Sequence, residues 1–419
     1  MLHATNIRAG TMDGTVSNQW FSRPKDQTFD SLESLSAFTE ERRRSSIPVG
    51  NWNTHQICDG LDGQLTTEML DEFGGLQNTR GSVTLQTPTG ETVAPSNWAF
   101  GQLSGLAGCP SGFMRELPAP LAVDCLRFGL KFKREKDSVA GLVRDGNNLA
   151  AVTGPKYGRI WNYEVVKGIR DANDRANGAF QIPGLIDWAA GPNENGTFNY
   201  DTEAKGDSTL FASDRDMFVF LIAHNNPIEI GKLADGSPDI VFRGFYAWNS
   251  EEGNTSAGVA AFYLRGVCQN RCLWGVENFH EISIRHTTFA PDRFAEELKP
   301  ALDSFVEGRE SNLQQAVEEA RRAVVAESES DMLEYLNGTG GLSRKRSLAA
   351  IELHEEIEGH KPTSLWDMSN AITAVARDIP NTDQRLAVER QAGKILDQVK
   401  VLDKPKAFVT VGAQVIEID

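Results

Sequence analysis

The chain has 419 residues, 40% of them hydrophobic, with 42 basic and 58 acidic side chains and a formal net charge of −16. Such a chain can bury a large core in two or three packed units, which excludes a small single module. The acidic balance opposes nonspecific adhesion of the whole molecule to DNA or to an anionic membrane.

The cysteines and the apolar runs indicate the compartment. There are five cysteines, an odd number with no framework spacing, and this favours a reducing environment. The first residues lack the apolar core of a signal peptide, and no run approaches the roughly 20 apolar residues of a membrane helix. We therefore expect a cytoplasmic protein that does not bind a membrane.

Residues 1–95 predict an N-terminal arm followed by irregular hairpins. Within them, Leu32, Leu35 and Phe38 recur at helical spacing and predict a helix over residues 31–44. The basic cluster that ends this helix suits the C-terminal end of the helix dipole, and the alternative is contact with nucleic acid.

Residues 96–290 predict an α+β core of antiparallel hairpins with packed helices over 97–130 and 164–180. A helix is expected from about Ala119 to Phe128, with Leu121, Cys125 and Phe128 on its buried side. Cys125, like Cys109, is interpreted as a small apolar filler, with a redox or metal role as the alternative.

The unit that organises the core is a predicted hairpin. Residues 240–247 alternate as a strand, 249–254 form a turn, and 258–265 resume as a second strand. Glu251 and Glu252 fall in this turn, where we expect them to be solvated. A mostly helical region follows over 291–419, and residues 408–418 predict one terminal strand that adds to a sheet edge.

The candidate ligands for a zinc site are Cys268, Cys272, His280 and His286, which lie within nineteen positions. If Phe279–Arg285 is extended, however, the two histidines lie about 20 Å apart. We therefore predict no metal and no cofactor, with buried thiols and hydrogen-bonded histidines instead.

Catalytic motifs are absent from the sequence. It contains no Gly-x-Ser-x-Gly elbow, no phosphate-binding loop of Walker spacing and no dinucleotide-binding turn. We therefore favour a non-enzymatic protein. The alternative is an enzyme built around Cys268, Asn270, Arg265 and His286.

One region combines basic and aromatic residues. Residues 101–180 carry twelve basic and eight acidic side chains, which reverses the balance of the whole chain. Cations along a backbone and flat rings against bases are how proteins hold single strands; the alternative is a structural rim that covers sheet edges. The candidate nucleic-acid-binding residues are Arg127, Lys131, Lys133, Arg134, Arg144, Lys156, Tyr157, Arg159 and Trp161.

Three ordered stretches resemble a known family. The first is Trp248–Gly253 with the segments Arg265–Asn270 and Arg285–Thr287 after it. The second is Gln102–Leu130, followed by Val143-Arg144 and Gly154–Tyr157, and the third is Ser364–Thr373. Together they resemble an uncharacterised family of bacteriophages and plasmids, labelled phage/plasmid-like protein or domain of unknown function 932. The positions that carry the central motif are Asn249, Arg265, Cys268, Asn270, Arg285 and His286.

The resemblance implies a phage or mobile-element setting and no established reaction. Together with the basic and aromatic region, it predicts an oligomeric, non-enzymatic protein that binds single-stranded nucleic acid in recombination or replication. The alternative partner is a host protein, bound through the acidic helices of residues 311–358.

Overall fold

The computed structural model describes residues 25–64, 82–132, 138–183, 208–213, 215–223, 225–232, 236, 238–265, 271–272, 282–307, 313–376, 379, 382–399, 407–411 and 414–418. The architecture is α+β, as expected from the sequence, with mostly antiparallel sheets followed by helices.

The first part of the chain forms one sheet and the helices packed on it. In chain order the elements are α1 (Leu32–Arg44), β1 (Ser46–Asn53), α2 (Thr54–Gly60), β2 (Leu61–Gln64), β3 (Ser82–Gln86), β4 (Thr92–Pro95), α3 (Asn97–Ala107), α4 (Ser111–Met114), α5 (Ala119–Lys131), β5 (Ser138–Arg144) and β6 (Asn148–Thr153). Among the described residues the strand order is β1-β5-β6-β4-β3-β2, and only β4 and β6 pair in parallel. This sheet therefore crosses the domain boundary predicted at residue 95.

The helices of this part share one core with the sheet. The side chain of Ser96 accepts a hydrogen bond from the N–H of Ala99 and so caps α3, while Pro118 and Pro120 flank the start of α5. Phe100 and Leu103 of α3 and Leu126 of α5 are fully buried against Trp52 of β1. Apolar burial of this kind is what fixes α3 and α5 on the sheet.

The second sheet contains the predicted hairpin. Its elements are α6 (Asn162–Arg175), β7 (Phe180–Gln181), β8 (Leu210–Ala212), β9 (Met217–Ala223), β10 (Ile228–Lys232), β11 (Pro238–Asn249), β12 (Ala257–Arg265), β13 (Arg271–Cys272) and β14 (Ile282–Ile284). Strand β11 pairs antiparallel with β12 from Val241↔Arg265 to Trp248↔Gly258, and on its other side with β9 and β10. The hairpin prediction is confirmed.

Both faces of this sheet are apolar. On one face Val219, Phe245 and Val259 pack with Leu35 of α1 and Ile169 of α6. On the other, Phe220 and Phe262 stack with ring centroids 4.3 Å apart. A strand buried on both faces has a continuous apolar sequence, which explains the run at Met217–Ala223.

The C-terminal region is mostly helical, as predicted. It comprises α7 (Ala290–Arg293), a π-helical turn (Phe294–Leu298), α8 (Lys299–Glu307), α9 (Leu313–Arg322), α10 (Glu329–Gly338), α11 (Arg344–Glu358), α12 (Leu365–Ala376), α13 (Thr382–Leu396), β15 (Ala407–Val411) and β16 (Gln414–Ile418). The last two strands pair with each other, so the prediction of one terminal strand is wrong.

In the part of the chain that the structure describes, no helix is both long and apolar enough to cross a bilayer.

Candidate functional site

The turn of the β11–β12 hairpin is buried. Asn249, Ser250 and Glu252 have no exposed surface, and Glu251 is 1% exposed. The expectation of a solvated turn is therefore wrong, because the turn inserts between the first sheet and the segment that leads into α6. Two adjacent buried carboxyl groups require compensation, since burial opposes the charged form.

Arg144, at the end of β5, supplies most of that compensation. Its guanidinium forms ion pairs with both Glu251 and Glu252, and its Nε donates to Ser46 Oγ at 2.9 Å. Glu251 Oε1 also accepts the backbone N–H of Asn162 at 2.6 Å. Burial nevertheless raises the pKa of Glu251, while Arg144 acts in the opposite direction. The ion pairs connect the first sheet to the second.

Helix α3 binds the backbone of the same turn. The side chains of Trp98 and Gln102 both donate to the carbonyl oxygen of Glu252, from Nε1 at 3.0 Å and from Nε2 at 2.7 Å. The Gln102 Oε1 accepts the N–H of Val152 at 2.8 Å, which orients its amide. The turn is thus held through its carbonyl groups as well as its carboxylates.

The segment before α6 completes the enclosure. Tyr157 donates from its hydroxyl to the Ser250 carbonyl at 2.7 Å, and Arg159 donates to the Glu251 carbonyl. The ring of Tyr157 stacks on His286, with centroids 4.7 Å apart and planes at 19°. Burial raises the pKa of Tyr157 far above its usual range, so this phenol is a hydrogen-bond donor at neutral pH.

His286 is held in its neutral form. Its Nδ1 lies 3.0 Å from the carbonyl oxygen of Gly158, to which it donates, and burial lowers its pKa. The Nε2 of His286 and the Oε2 of Glu252 are buried atoms with no hydrogen-bond partner among the described residues. Both atoms can accept a hydrogen bond, since Nδ1 carries the proton of the neutral imidazole and a carboxylate oxygen is an acceptor. Within the same described ranges, no three His, Cys, Asp or Glu side chains are grouped to hold a metal.

Of the other family-motif residues, Asn249 belongs to the same buried turn. Asn249 donates from Nδ2 to Ile160 O and to Asn162 Oδ1, each at 2.8 Å. Arg285 lies between the end of β14 and His286 and is exposed. Cys268 and Asn270 lie outside the described residues, as do His280, Lys133 and Arg134.

Arg265 lies at the far end of the hairpin from the turn. It pairs with the buried Asp239 and with Glu358 of α11, and Arg321 of α9 binds the same Asp239. Its position at the end of β12 makes Arg265 connect the second sheet to the C-terminal helices.

The predicted nucleic-acid-binding residues divide between two places. Arg144, Tyr157 and Arg159 belong to the buried turn cluster, where their polar groups already have partners. Trp161 is half-buried with the guanidinium of Arg43 4.0 Å from its ring centroid, whereas Lys156 is exposed. A surface that reaches from residue 127 to residue 163 is thus interrupted by buried residues.

The other place is the outer face of α5. Phe128 is 69% exposed and Phe132, just after the helix, is 73% exposed, and their rings form an edge-to-face pair at 5.0 Å. Lys131, which precedes Phe132 in the sequence, is also exposed. Arg127 is half-exposed and donates from Nε to the Cys58 carbonyl at 3.4 Å. We call Leu121, Phe128, Lys131 and Phe132 the α5 outer face.

The prediction of the buried side of α5 is wrong for Leu121 and Phe128. Leu121 is 49% exposed, and the buried side carries Ala122, Leu126 and Leu130. Helix α5 has two apolar stripes at helical spacing, a first with Leu126 and Leu130 and a second with Leu121 and Phe128. The sequence pattern alone does not show which stripe packs against the core. The cations beside the second stripe, at positions 127 and 131, are the signal that it faces solvent.

Comparison with known proteins relates part of the chain to a family. Residues 206–375 match the family model described as Domain of unknown function (DUF932). No curated protein and no solved structure matches the chain. The match includes the buried turn, Arg265 and His286, while Arg144 and α5 precede it.

Proposed function

We propose that this protein, whose residues 206–375 carry the domain of unknown function DUF932, binds single-stranded nucleic acid through the α5 outer face. The observation that supports this proposal is the exposed, contacting pair of Phe128 and Phe132, with the exposed Lys131 next to Phe132 in the sequence. Two exposed aromatic rings five ångströms apart are costly in water unless a partner covers them.

The chemistry of the face favours a strand with accessible bases. Flat rings stack on bases of any sequence, and each such contact contributes about 1–3 kcal/mol. Lys131 adds a cation for the phosphate backbone, and Lys133 and Arg134 follow it in the sequence. A duplex hides its bases in the stack, so we expect it to bind more weakly than a single strand.

The setting we propose is the recombination or replication of a mobile element in the cytoplasm of a bacterial host. Strand binding there requires no catalysis, and the protein acts as a homo-oligomer that covers several nucleotides per subunit. Light scattering on the protein with and without oligonucleotide measures the subunit number.

The test is binding of a labelled oligonucleotide, single- and double-stranded, across a salt series. We expect Phe128→Ala and Phe132→Ala each to weaken single-strand binding by about 5- to 150-fold, the equivalent of 1–3 kcal/mol. Lys131→Glu should weaken binding and flatten its salt dependence. Matched controls on α11 are Leu348→Ala and Lys345→Glu, both at exposed positions.

Two outcomes would contradict the proposal. One is wild-type protein that fails to bind any single strand at low salt. The other is binding that the α5 variants and the α11 controls change to the same extent, which would place the contact elsewhere. Circular dichroism of each variant checks that the fold is intact.

A second candidate function is binding of a host protein. It is favoured by the exposed acidic side chains of α10 and α11 and of the residues before α10: Glu327, Glu329, Asp331, Glu334, Glu352, Glu355 and Glu356. Such a surface suits a basic partner. Capture of one host protein that is lost when Glu352, Glu355 and Glu356 become glutamine would support it.

The third possibility, an enzyme centred on Cys268 and His286, is tested by native mass spectrometry of the purified protein. A bound ligand or metal that disappears in the His286→Asn variant would favour it.

A further inference from the structure

Three free cysteines lie against or on α5. Cys58, Cys109 and Cys125 are all half-buried. Cys58 Sγ lies 3.5 Å from the carbonyl oxygen of Arg127, and Cys109 Sγ lies 3.7 Å from the carbonyl oxygen of Cys125. A thiol of Cys109 that contacts the backbone of another cysteine brings two oxidisable groups together.

The crossing of α3 and α5 explains this proximity. A Cβ atom on Gly129 would lie 2.1 Å from the carbonyl oxygen of Ala107, so the two backbones touch there. Cys125 precedes Gly129 by one helical turn on the same side of α5. Cys109 follows Ala107 by two residues, and its thiol therefore reaches the backbone of Cys125 along the same contact.

We propose that Cys109 and Cys125 form a reversible disulfide that staples the end of α3 to α5. A peroxide oxidises one thiolate to a sulfenic acid with release of water, and the other thiol attacks that sulfur and releases a second water. Both cysteines are oxidised and the peroxide is reduced, and a dithiol reductant reverses the reaction. The bond would close the segment that contains α4.

The position of Cys109 in the chain allows the adjustment that a disulfide bond requires. A disulfide needs Cα atoms about 4.4–6.8 Å apart. Cys109 follows Gly108, whose φ of 75° ends α3, so Cys109 lies in a connection and not within a helix. Such a connection can make the small shift that brings its sulfur from the carbonyl to the thiol of Cys125.

The reaction should be slow at neutral pH. Burial and the neighbouring Cys125 raise the pKa of the Cys109 thiol, which lowers its thiolate fraction. The rate of disulfide formation should therefore increase as the pH rises. A slow rate of formation that increases with pH distinguishes a structural disulfide from the disulfide of a fast redox sensor.

The test is peroxide treatment of the full chain, followed by alkylation of free thiols and non-reducing tryptic mapping. Trypsin cleaves after Arg115, so the two cysteines fall in separate peptides that end at Arg115 and Arg127. We expect these peptides to become linked, with loss of two hydrogen atoms per chain, and to separate again on reduction. The link should persist in Cys58→Ser and disappear in Cys109→Ser and in Cys125→Ser.

The proposal is overturned if Cys109 and Cys125 remain alkylated in the treated protein. It is equally overturned if either one is oxidised singly or is linked instead to Cys58, Cys268 or Cys272. Because the mapping needs no nucleic acid, its result is independent of the function proposed above. A thermal melt of the treated and reduced forms then measures what the staple does to stability.

Discussion

Asp239 and Arg265 form a bidentate ion pair, in which Nε of Arg265 donates to Oδ1 of Asp239 and Nη2 donates to Oδ2, both at 2.8 Å. Asp239 has no exposed surface, and Arg321 of α9 reaches the same Oδ2 from 2.6 Å. The carboxylate therefore lies between two cations, one from the second sheet and one from the C-terminal helices. Fork-to-fork geometry of this kind fixes orientation as well as charge.

We expect Asp239→Asn to lower the free energy of unfolding by about 3 kcal/mol, because Arg265 and Arg321 lose the buried carboxylate that they share. The loss is at the low end for a broken buried ion pair, since Arg265 keeps Glu358 and Arg321 is partly exposed. Urea unfolding followed by tryptophan fluorescence measures the change. The control is Glu329→Gln, which removes an exposed partner of Lys361 and should have little effect. Equal effects of the two substitutions would contradict the importance of the buried pair.

The turn cluster gives a second prediction. Arg144→Met leaves Glu251 and Glu252 buried without their main cation, and we expect a loss of about 3–5 kcal/mol of stability. Adding Glu251→Gln and Glu252→Gln to that variant should restore part of the loss, because neutral amides do not need a counter-charge. The same urea series measures both. No recovery in the triple variant would mean that Arg144 acts through packing alone.

The buried histidines predict a pH dependence. Burial lowers the pKa of His354 and of His286, so the unfolded chain binds more protons than the folded one as the pH falls below about 6.5. The stability contribution is therefore complete above that pH and is lost as the pH falls through the lowered values.

Asparagine can replace the Nδ1 donor that each of these histidines presents to a carbonyl group. The His286→Asn and His354→Asn double variant should show a shallower loss of stability between pH 6.5 and the acid range. Chemical unfolding at a series of pH values measures the slope. An unchanged slope would show that these side chains are not charged on unfolding.

Two glycines offer a paired test of packing. A Cβ atom on Gly244 of β11 would lie 2.3 Å from the Phe262 ring, whereas one on Gly168 of α6 would meet no atom within 4 Å. We expect Gly244→Ala to destabilise the protein by about 1–3 kcal/mol. Gly168→Ala should stabilise it by about 0.4–1 kcal/mol by restricting the unfolded chain. Thermal melts of both variants check the opposite signs.

The local elements could be predicted from the sequence because their signals are local. The β11–β12 hairpin follows from alternation around a turn-forming segment, and helix α1 follows from the spacing of Leu32, Leu35 and Phe38. The fold class follows from the order of these elements.

The site could not be predicted, because its partners are distant in sequence. Glu251 meets Arg144 across 107 positions, and nothing near either residue indicates the other. Two adjacent glutamates in a turn are ordinarily solvated, so the local sequence predicts that their side chains are exposed. For α5, two apolar stripes compete, and only packing against α3 and Trp52 decides which is buried.

Because of the buried turn, complete folding of the first sheet depends on residues that are synthesised later. The strands of the first sheet end at Thr153, yet the carboxylates that compensate Arg144 leave the ribosome only after about a hundred further residues. Until then Arg144 lacks its counter-charges, and Trp98 and Gln102 lack the carbonyl group they bind. Chains fold from the N-terminus as they emerge, so the first sheet has to wait in an incomplete form for the hairpin that arrives later.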